Sequence, residues 1–149
     1  MPSLSISSPV GPLTIEEEDN KIVAISWGNG RAGNGSPLLE EAARQLQAYF
    51  DGKLSDFDLP VAPAGSSFEK RVWAAMQQIP YGETRCYGDL AEAIHSAPRA
   101  VGGACGKNPI PIVIPCHRVL AKSGMGGYSG RGGLKTKQAL LRLEGAALP

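Results

Sequence analysis

Cys116 stands between Pro115 and His117, at the end of an apolar run from Ile110 to Ile114. A thiol attacks carbon as its thiolate, and free cysteine is mostly protonated at neutral pH. A nearby base must take the proton, or a positive field must stabilise the anion. His117 is the nearest base, and imidazole exchanges protons in the required range. Adjacency alone does not join them, because successive side chains on extended backbone point opposite ways. The chain must turn at Cys116, and a further group must orient the imidazole. Glu144, the one acid of the last amphipathic segment, could be that carboxylate, or a helix-end glutamate facing water. The plainer reading of Cys116 is a small buried thiol without chemistry.

A second constellation is Arg99-Ala100-Val101-Gly102-Gly103-Ala104. Each glycine costs a helix about 1 kcal/mol relative to alanine, so the pair needs a reason. Close approach of another backbone is the commonest one. If that backbone is DNA, a smooth helix would enter a groove and place Arg99 into the base stack. If it is protein, the helix packs tightly on a neighbour and Arg99 faces water. Asn108, before Pro109, is biased out of the helical region, and its amide can bridge two backbone groups across a turn. That makes it a brace between the helix and Cys116. Tyr128-Ser129-Gly130 offers a hydroxyl and a backbone amide from a glycine-rich loop, suited to covering a planar ligand. Tyr87 reads either as a core aromatic or as a pocket donor.

The elements that must position these residues follow from pattern. Residues 4–27 alternate apolar and polar, with Ile6, Leu13, Ile15, Ile22, Val23 and Ile25 inward, and predict a small antiparallel β meander. A Gly- and Asn-rich connection covers 28–35. Ser36-Pro37 opens a helix that Asp51-Gly52 closes. Residues 52–66 read as a linker, placing domains at 1–60 and 61–149. Ser66 and Glu69 form a capping box for a second helix that ends at Pro80-Tyr81-Gly82. Two short helices, about 87–95 and 98–106, predict a helix-turn-helix. Ile110–Ile114 reads as a buried strand-like segment, residues 124–133 as a loop, and 134–144 as a final helix stopped by Gly145. The fold class is α+β: a small antiparallel sheet with a helix, then a mostly helical carboxyl-terminal domain.

The chain has 149 residues, a formal net charge of +1 and three cysteines. Its charge is unevenly spread. Glu16, Glu17, Glu18 and Asp19 lie early, whereas residues 97–142 carry Arg99, Lys107, Arg118, Lys122, Arg131, Lys135, Lys137 and Arg142 without an acid. Such a half faces an anion, with nucleic acid the leading candidate. An odd cysteine count without a CxxC pair or leader sequence points to a reducing, cytoplasmic setting. No metal site is expected from the Cys and His spacing, and no cofactor. No apolar run is long enough to span a membrane.

Taken in order, Arg99 to Ala104, Asn108-Pro109, Pro115-Cys116-His117-Arg118-Val119, Tyr128-Ser129-Gly130 and Leu140 to Glu144 closely resemble the O6-alkylguanine-DNA alkyltransferases. The likeness spans about residues 66–145; residues 1–60 match only in strand-then-helix outline. It implies that Cys116 accepts the alkyl group of O6-alkylguanine, and also of O4-alkylthymine, from a base flipped out of double-stranded DNA. It implies that His117 acts as base through a water, oriented by Glu144, with Asn108 bracing the site. Tyr87 and the Ser129 amide would stabilise the departing guanine, and the carbonyls of Cys116 and Val119 would read its exocyclic amine. Arg99 would fill the vacated stack, with Ala100, Gly102, Gly103 and Arg118 as further DNA contacts. The protein would act once, as a monomer. The stretch Ile94 to Arg99 is shorter than the family's usual turn, so the turn is tightened or the first helix truncated. Two other functions compete: a lesion-binding module that moves no alkyl group, and a cysteine hydrolase acting on an acyl substrate. Cys116 itself argues against the first, and the Arg99 helix is left unexplained by the second.

Overall fold

The computed structural model describes residues 2–30 and 33–149. Arg31 and Ala32, within the expected 28–35 connection, lie outside the described residues. The chain divides into two compact units, 1–64 and 65–149.

In the first unit β1 (Ser3–Ile6), β2 (Leu13–Glu18) and β3 (Lys21–Trp27) form an antiparallel sheet in the order β1-β2-β3. A register shift lies between Glu16 and Glu17. An extra residue changes which face follows, and so Ile22 and Ile25 are both buried although three residues apart. Ile6 and Val23, expected inward, are only half-buried. Helix α1 (Pro37–Phe50) buries Leu39, Ala42, Leu46 and Tyr49, with Ser36 capping the Leu39 amide. The Ser36 hydroxyl also hydrogen-bonds the Glu17 carboxylate, tying the helix start to β2. Residues 52–66 are not free linker throughout. The Ile22 amide donates to the Pro60 carbonyl at 2.8 Å and the Ala62 amide to the Ile22 carbonyl at 2.9 Å, while Gln45 clamps the main chain of Asp58.

The second unit is mostly helical. Helix α2 (Ser67–Gln77) starts at a capping box between Ser66 and Glu69. The short strand β4 (Arg85–Cys86) leads into α3 (Tyr87–Ala93), and α4 (Pro98–Cys105) follows. The turn between these helices is tight and α3 is short: it ends two residues before the expected limit, and His95 is left-handed at φ 57°. The chain then runs to a 3-10 turn at Cys116–Arg118, strand β5 (Val119–Leu120) and α5 (Leu134–Leu143). Strand β5 pairs with β4 in parallel.

The Ile110–Ile114 segment is buried, but it is not a strand. Pro109, Pro111 and Pro115 lack amide hydrogens and fix φ, so a ladder cannot propagate. The segment folds on itself instead, with the Ile114 amide bonded to the Ile110 carbonyl at 2.9 Å and Ile112 at φ 75°. Beyond an isolated bridge between Pro111 and Ile114, strand pairing comes just after the thiol, in β5.

Trp73 locks α2 to α4: it is buried, and its indole N–H donates to the Ala104 carbonyl at 2.9 Å. Trp73→Phe retains most of the apolar volume but removes this hydrogen bond, leaving the Ala104 carbonyl to the Lys107 amide at 3.1 Å. We expect a loss of about 0.5–1.5 kcal/mol, read as a lower urea midpoint at unchanged slope.

Candidate active site

The 3-10 turn at Cys116–Arg118 supplies the change of direction expected at Cys116. It sends the Cys116 side chain one way and those of His117 and Arg118 another. Cys116 lines a pocket of 570 Å³ together with Tyr87, Arg99, Gly102, Tyr128 and Ser129. His117 and Arg118 go inward and meet Glu144, the residue that ends α5.

His117 is fully buried. Its Nε2 lies 2.7 Å from a Glu144 carboxylate oxygen, and its Nδ1 is buried without a protein partner. Burial pushes the imidazole below its ordinary range, and Glu144 only partly offsets this. A neutral ring that donates from Nε2 to Glu144 keeps the Nδ1 lone pair free to accept a proton. The carboxylate stays charged because Arg118 forks onto it at 2.8 and 3.0 Å. The third Arg118 nitrogen donates to the Ile79 carbonyl at 2.7 Å, and the guanidinium sits over the Tyr81 ring at 5.8 Å.

Arg118 is therefore not on a DNA-facing surface, contrary to the expectation for it. It is 6% exposed, and a buried carboxylate needs the cation more than an exposed face does. Lys137, counted with the surface cations, is also fully buried. Six of the eight cations of residues 97–142 remain exposed: Arg99, Lys107, Lys122, Arg131, Lys135 and Arg142.

Burial also raises the Cys116 thiol above its ordinary value. Four effects oppose it: a hydrogen bond from Asn108, the Lys137 charge, the residue's own backbone amide and a hydrogen bond from Tyr128. The Asn108 amide meanwhile donates to the Ile114 carbonyl at 2.8 Å and accepts from the Ile110 amide at 2.9 Å. It thus spans the proline-rich turn and touches the thiol. The Tyr128 hydroxyl is held well above the usual phenol value by burial and by Cys116, so it stays a donor. Tyr87 is shifted upward for the same first reason and bonds the backbone of Gly127.

On α4, Arg99, Ala100 and Gly103 are exposed and Gly102 half-exposed. A Cβ on either glycine would meet nothing within 4 Å. Packing against another protein helix is thereby removed as the reason for the pair. Ser129 is exposed at the pocket rim, and the Val119 carbonyl accepts from Lys137 at 2.7 Å.

Two pocket features escape a motif-based reading. Cys105 lines the pocket, and its three-residue spacing from Gly102 and Arg99 places all three on one helical face. Lys137 lies at helical spacing from Leu140, Leu141 and Glu144 on the buried stripe of α5. A lysine on an apolar stripe was the available signal.

Comparison with known proteins extends over the whole chain. Residues 67–146 match the family described as 6-O-methylguanine DNA methyltransferase, DNA binding domain, and residues 4–63 match the ribonuclease-like domain of the same protein. The methylated-DNA–protein-cysteine methyltransferase of Mycolicibacterium paratuberculosis is 46% identical over 150 residues, which is 94% of this chain and 90% of that one. The protein of that name from Methanosarcina acetivorans is 42% identical, over 93% of this chain and 95% of its own. The crystal structure of Mycobacterium tuberculosis OGT in complex with DNA superimposes with a TM-score of 0.87 at 41% identity, covering 100% of this chain and 96% of that one. With both units matched and such identity along nearly its full length, the chain belongs to the 6-O-methylguanine DNA methyltransferase family.

Proposed function

We propose that this chain repairs double-stranded DNA by direct, irreversible transfer of the alkyl group of O6-alkylguanine to Cys116, acting once and as a monomer. O4-alkylthymine is a second substrate, and the damaged base is flipped out of the helix before it reacts. The observation that carries this reading is the pocket. Cys116 shares it with Arg99, Gly102, Tyr87, Tyr128 and Ser129, and its 570 Å³ falls within the roughly 300–1,000 Å³ of small-molecule sites.

The chemistry follows from the arrangement. The Cys116 sulfur forms a bond to the alkyl carbon as the bond from that carbon to O6 breaks. The thiol proton leaves through a water to Nδ1 of His117, while Nε2–H remains held by Glu144. A donor must meet the purine as it departs with the bonding pair, and Tyr87 and the Ser129 amide take that role. The carbonyls of Cys116 and Val119 read the exocyclic amine, and Asn108 holds the thiol in line. The product is a thioether, which no residue of the site can reverse.

The helix α4 supports DNA as the partner. Two glycines that cost the helix about 1 kcal/mol each and meet no protein atom within 4 Å leave Gly102 and Gly103 smooth for a backbone from outside. Ala100 continues that face, and Arg99 at its start reaches the pocket. The exposed cations supply the sequence-independent attraction to phosphates.

Incubation with DNA containing O6-methylguanine should add one methyl mass per chain, mapped to Cys116, with no further turnover. Cys116→Ser should abolish the gain yet retain DNA binding; binding without any mass gain in the native chain would instead make it a lesion-binding module. Arg99→Ala should slow repair of duplex DNA far more than reaction with free O6-benzylguanine, because only the duplex incurs a flipping cost of a few kcal/mol. Equal losses on both would place Arg99 in pocket support. The depressed His117 imidazole stays neutral below its ordinary 6.5. The acid limb of the transfer rate should therefore lie below that value, and a stopped-flow pH series that fell off above it would contradict the assignment of His117 as base.

A further inference from the structure

Lys137 belongs to α5, yet its side chain is fully buried. Its ammonium donates to three main-chain carbonyls: Val119 at 2.7 Å, Met125 at 2.6 Å and Gly127 at 2.9 Å. An ammonium has three hydrogens, so its donor capacity is used in full. Its charge also lies over the Tyr87 ring at 6.0 Å.

A buried cation is costly unless paired. Besides the three carbonyls, the groups that favour the charged form of Lys137 are the sulfurs of Cys116 and Cys105, not a carboxylate. Burial outweighs them and brings the lysine down to about 8. The influence runs both ways, since Lys137 is one of the groups that oppose the upward shift of the Cys116 thiol. A purely structural clamp would need no such neighbour.

The carbonyls it gathers come from two segments with distinct tasks. Val119 follows the nucleophile turn directly, whereas Met125 and Gly127 belong to the loop that leads into Tyr128 and Ser129. That loop is wrapped closely: at Gly126 (φ +72°) a Cβ would meet the Tyr87 ring at 3.0 Å and the Ala121 nitrogen at 3.1 Å. A carbonyl oxygen has two lone pairs. With one engaged by the ammonium, the direction of the Val119 oxygen is fixed while the other remains available to a ligand.

We propose that Lys137 is a positioning residue for alkyl transfer: its ammonium locks the Val119 carbonyl and the 125–129 loop around the purine subsite and holds the positive charge that favours the Cys116 thiolate. This rests on the alkyl-transfer reading of the site. Lys137→Met removes the charge and all three hydrogen bonds at nearly equal length, and Lys137→Gln retains a shorter neutral donor.

The test uses the full chain and two probes. Time courses with O6-benzylguanine at several concentrations separate its binding constant from the first-order transfer rate. Iodoacetamide, which alkylates a thiolate with loss of iodide and needs no purine pocket, reports the Cys116 thiolate alone when the adduct is mapped by mass. In the folded variants, judged by thermal melts, we expect binding weakened about tenfold and the iodoacetamide profile moved to higher pH by about one unit, a tenfold slower reaction at fixed pH. Folded variants with native binding and an unmoved profile, changed only in melting temperature, would overturn the proposal.

Should neither variant fold, the native chain decides. Cys116 and Cys105, both raised, and His117, lowered, feel the ammonium charge, and the Tyr87 ring, its hydroxyl also raised, lies 6.0 Å away. Lys137 is the one of these brought to about 8. O6-benzylguanine binding should weaken above about pH 8, and an unchanged constant through about pH 9.5 would overturn the proposal. A native chain that gains no benzyl mass sinks the alkyl-transfer reading instead, and the iodoacetamide profile still scores the lysine charge.

Discussion

The Glu144 carboxylate is 5% exposed and carries a charge that water cannot solvate. Everything near the nucleophile is arranged so that this charge is matched. Arg118 neutralises it from one side with two hydrogen bonds, and His117 donates to it from the other. A buried ion pair adds little stability over a well-packed apolar cluster, but removing one partner costs about 3–5 kcal/mol. The pair therefore acts less as glue than as a registration device. It fixes the end of α5 against the 3-10 turn, and the remaining Arg118 nitrogen extends the register to Ile79, just beyond α2.

That register determines which way Cys116 faces. All three residues of the turn are buried, but with His117 and Arg118 committed to Glu144 the thiol is left for the pocket. Lys137 applies the same logic on the other side of Val119, matching carbonyl oxygens instead of a carboxylate. The two buried cations thus bracket the nucleophile turn. One holds the carboxylate that His117 bonds, and the other gathers the loop that carries Tyr128 and Ser129.

Local features of this arrangement are legible in the sequence because their physics is local. The Ser36 and Ser66 caps, the glycine that follows α5 and the three-strand meander each depend on residues a few positions apart. The Ile110–Ile114 run is misleading because β-branched composition suggests a strand, whereas three prolines forbid the ladder that would make one. Arg118 and Lys137 are misleading for a different reason. Whether a cation is buried depends on acceptors far along the chain, here 26 residues from Arg118 to Glu144 and 18 from Lys137 to Val119. Charge counting assigns both to the surface. Helical spacing could have separated Lys137 from that surface set, because it shares a stripe with Leu140 and Leu141; nothing so local distinguishes Arg118.

The electrostatics also suit a nucleophile that is used once. Burial raises the Cys116 thiol and lowers His117, so both rest in their neutral forms, and a neutral buried thiol is protected from casual oxidation. A turnover enzyme gains by keeping its thiolate permanently populated, since it meets substrate repeatedly. A protein consumed by one reaction gains more by keeping the thiol inert until the correct base fills the pocket. A base that fills the pocket strengthens the interactions that oppose burial: the Asn108 and Tyr128 hydrogen bonds and the Lys137 charge. In the proposed transfer the thiolate is then favoured when an alkyl carbon lies next to it.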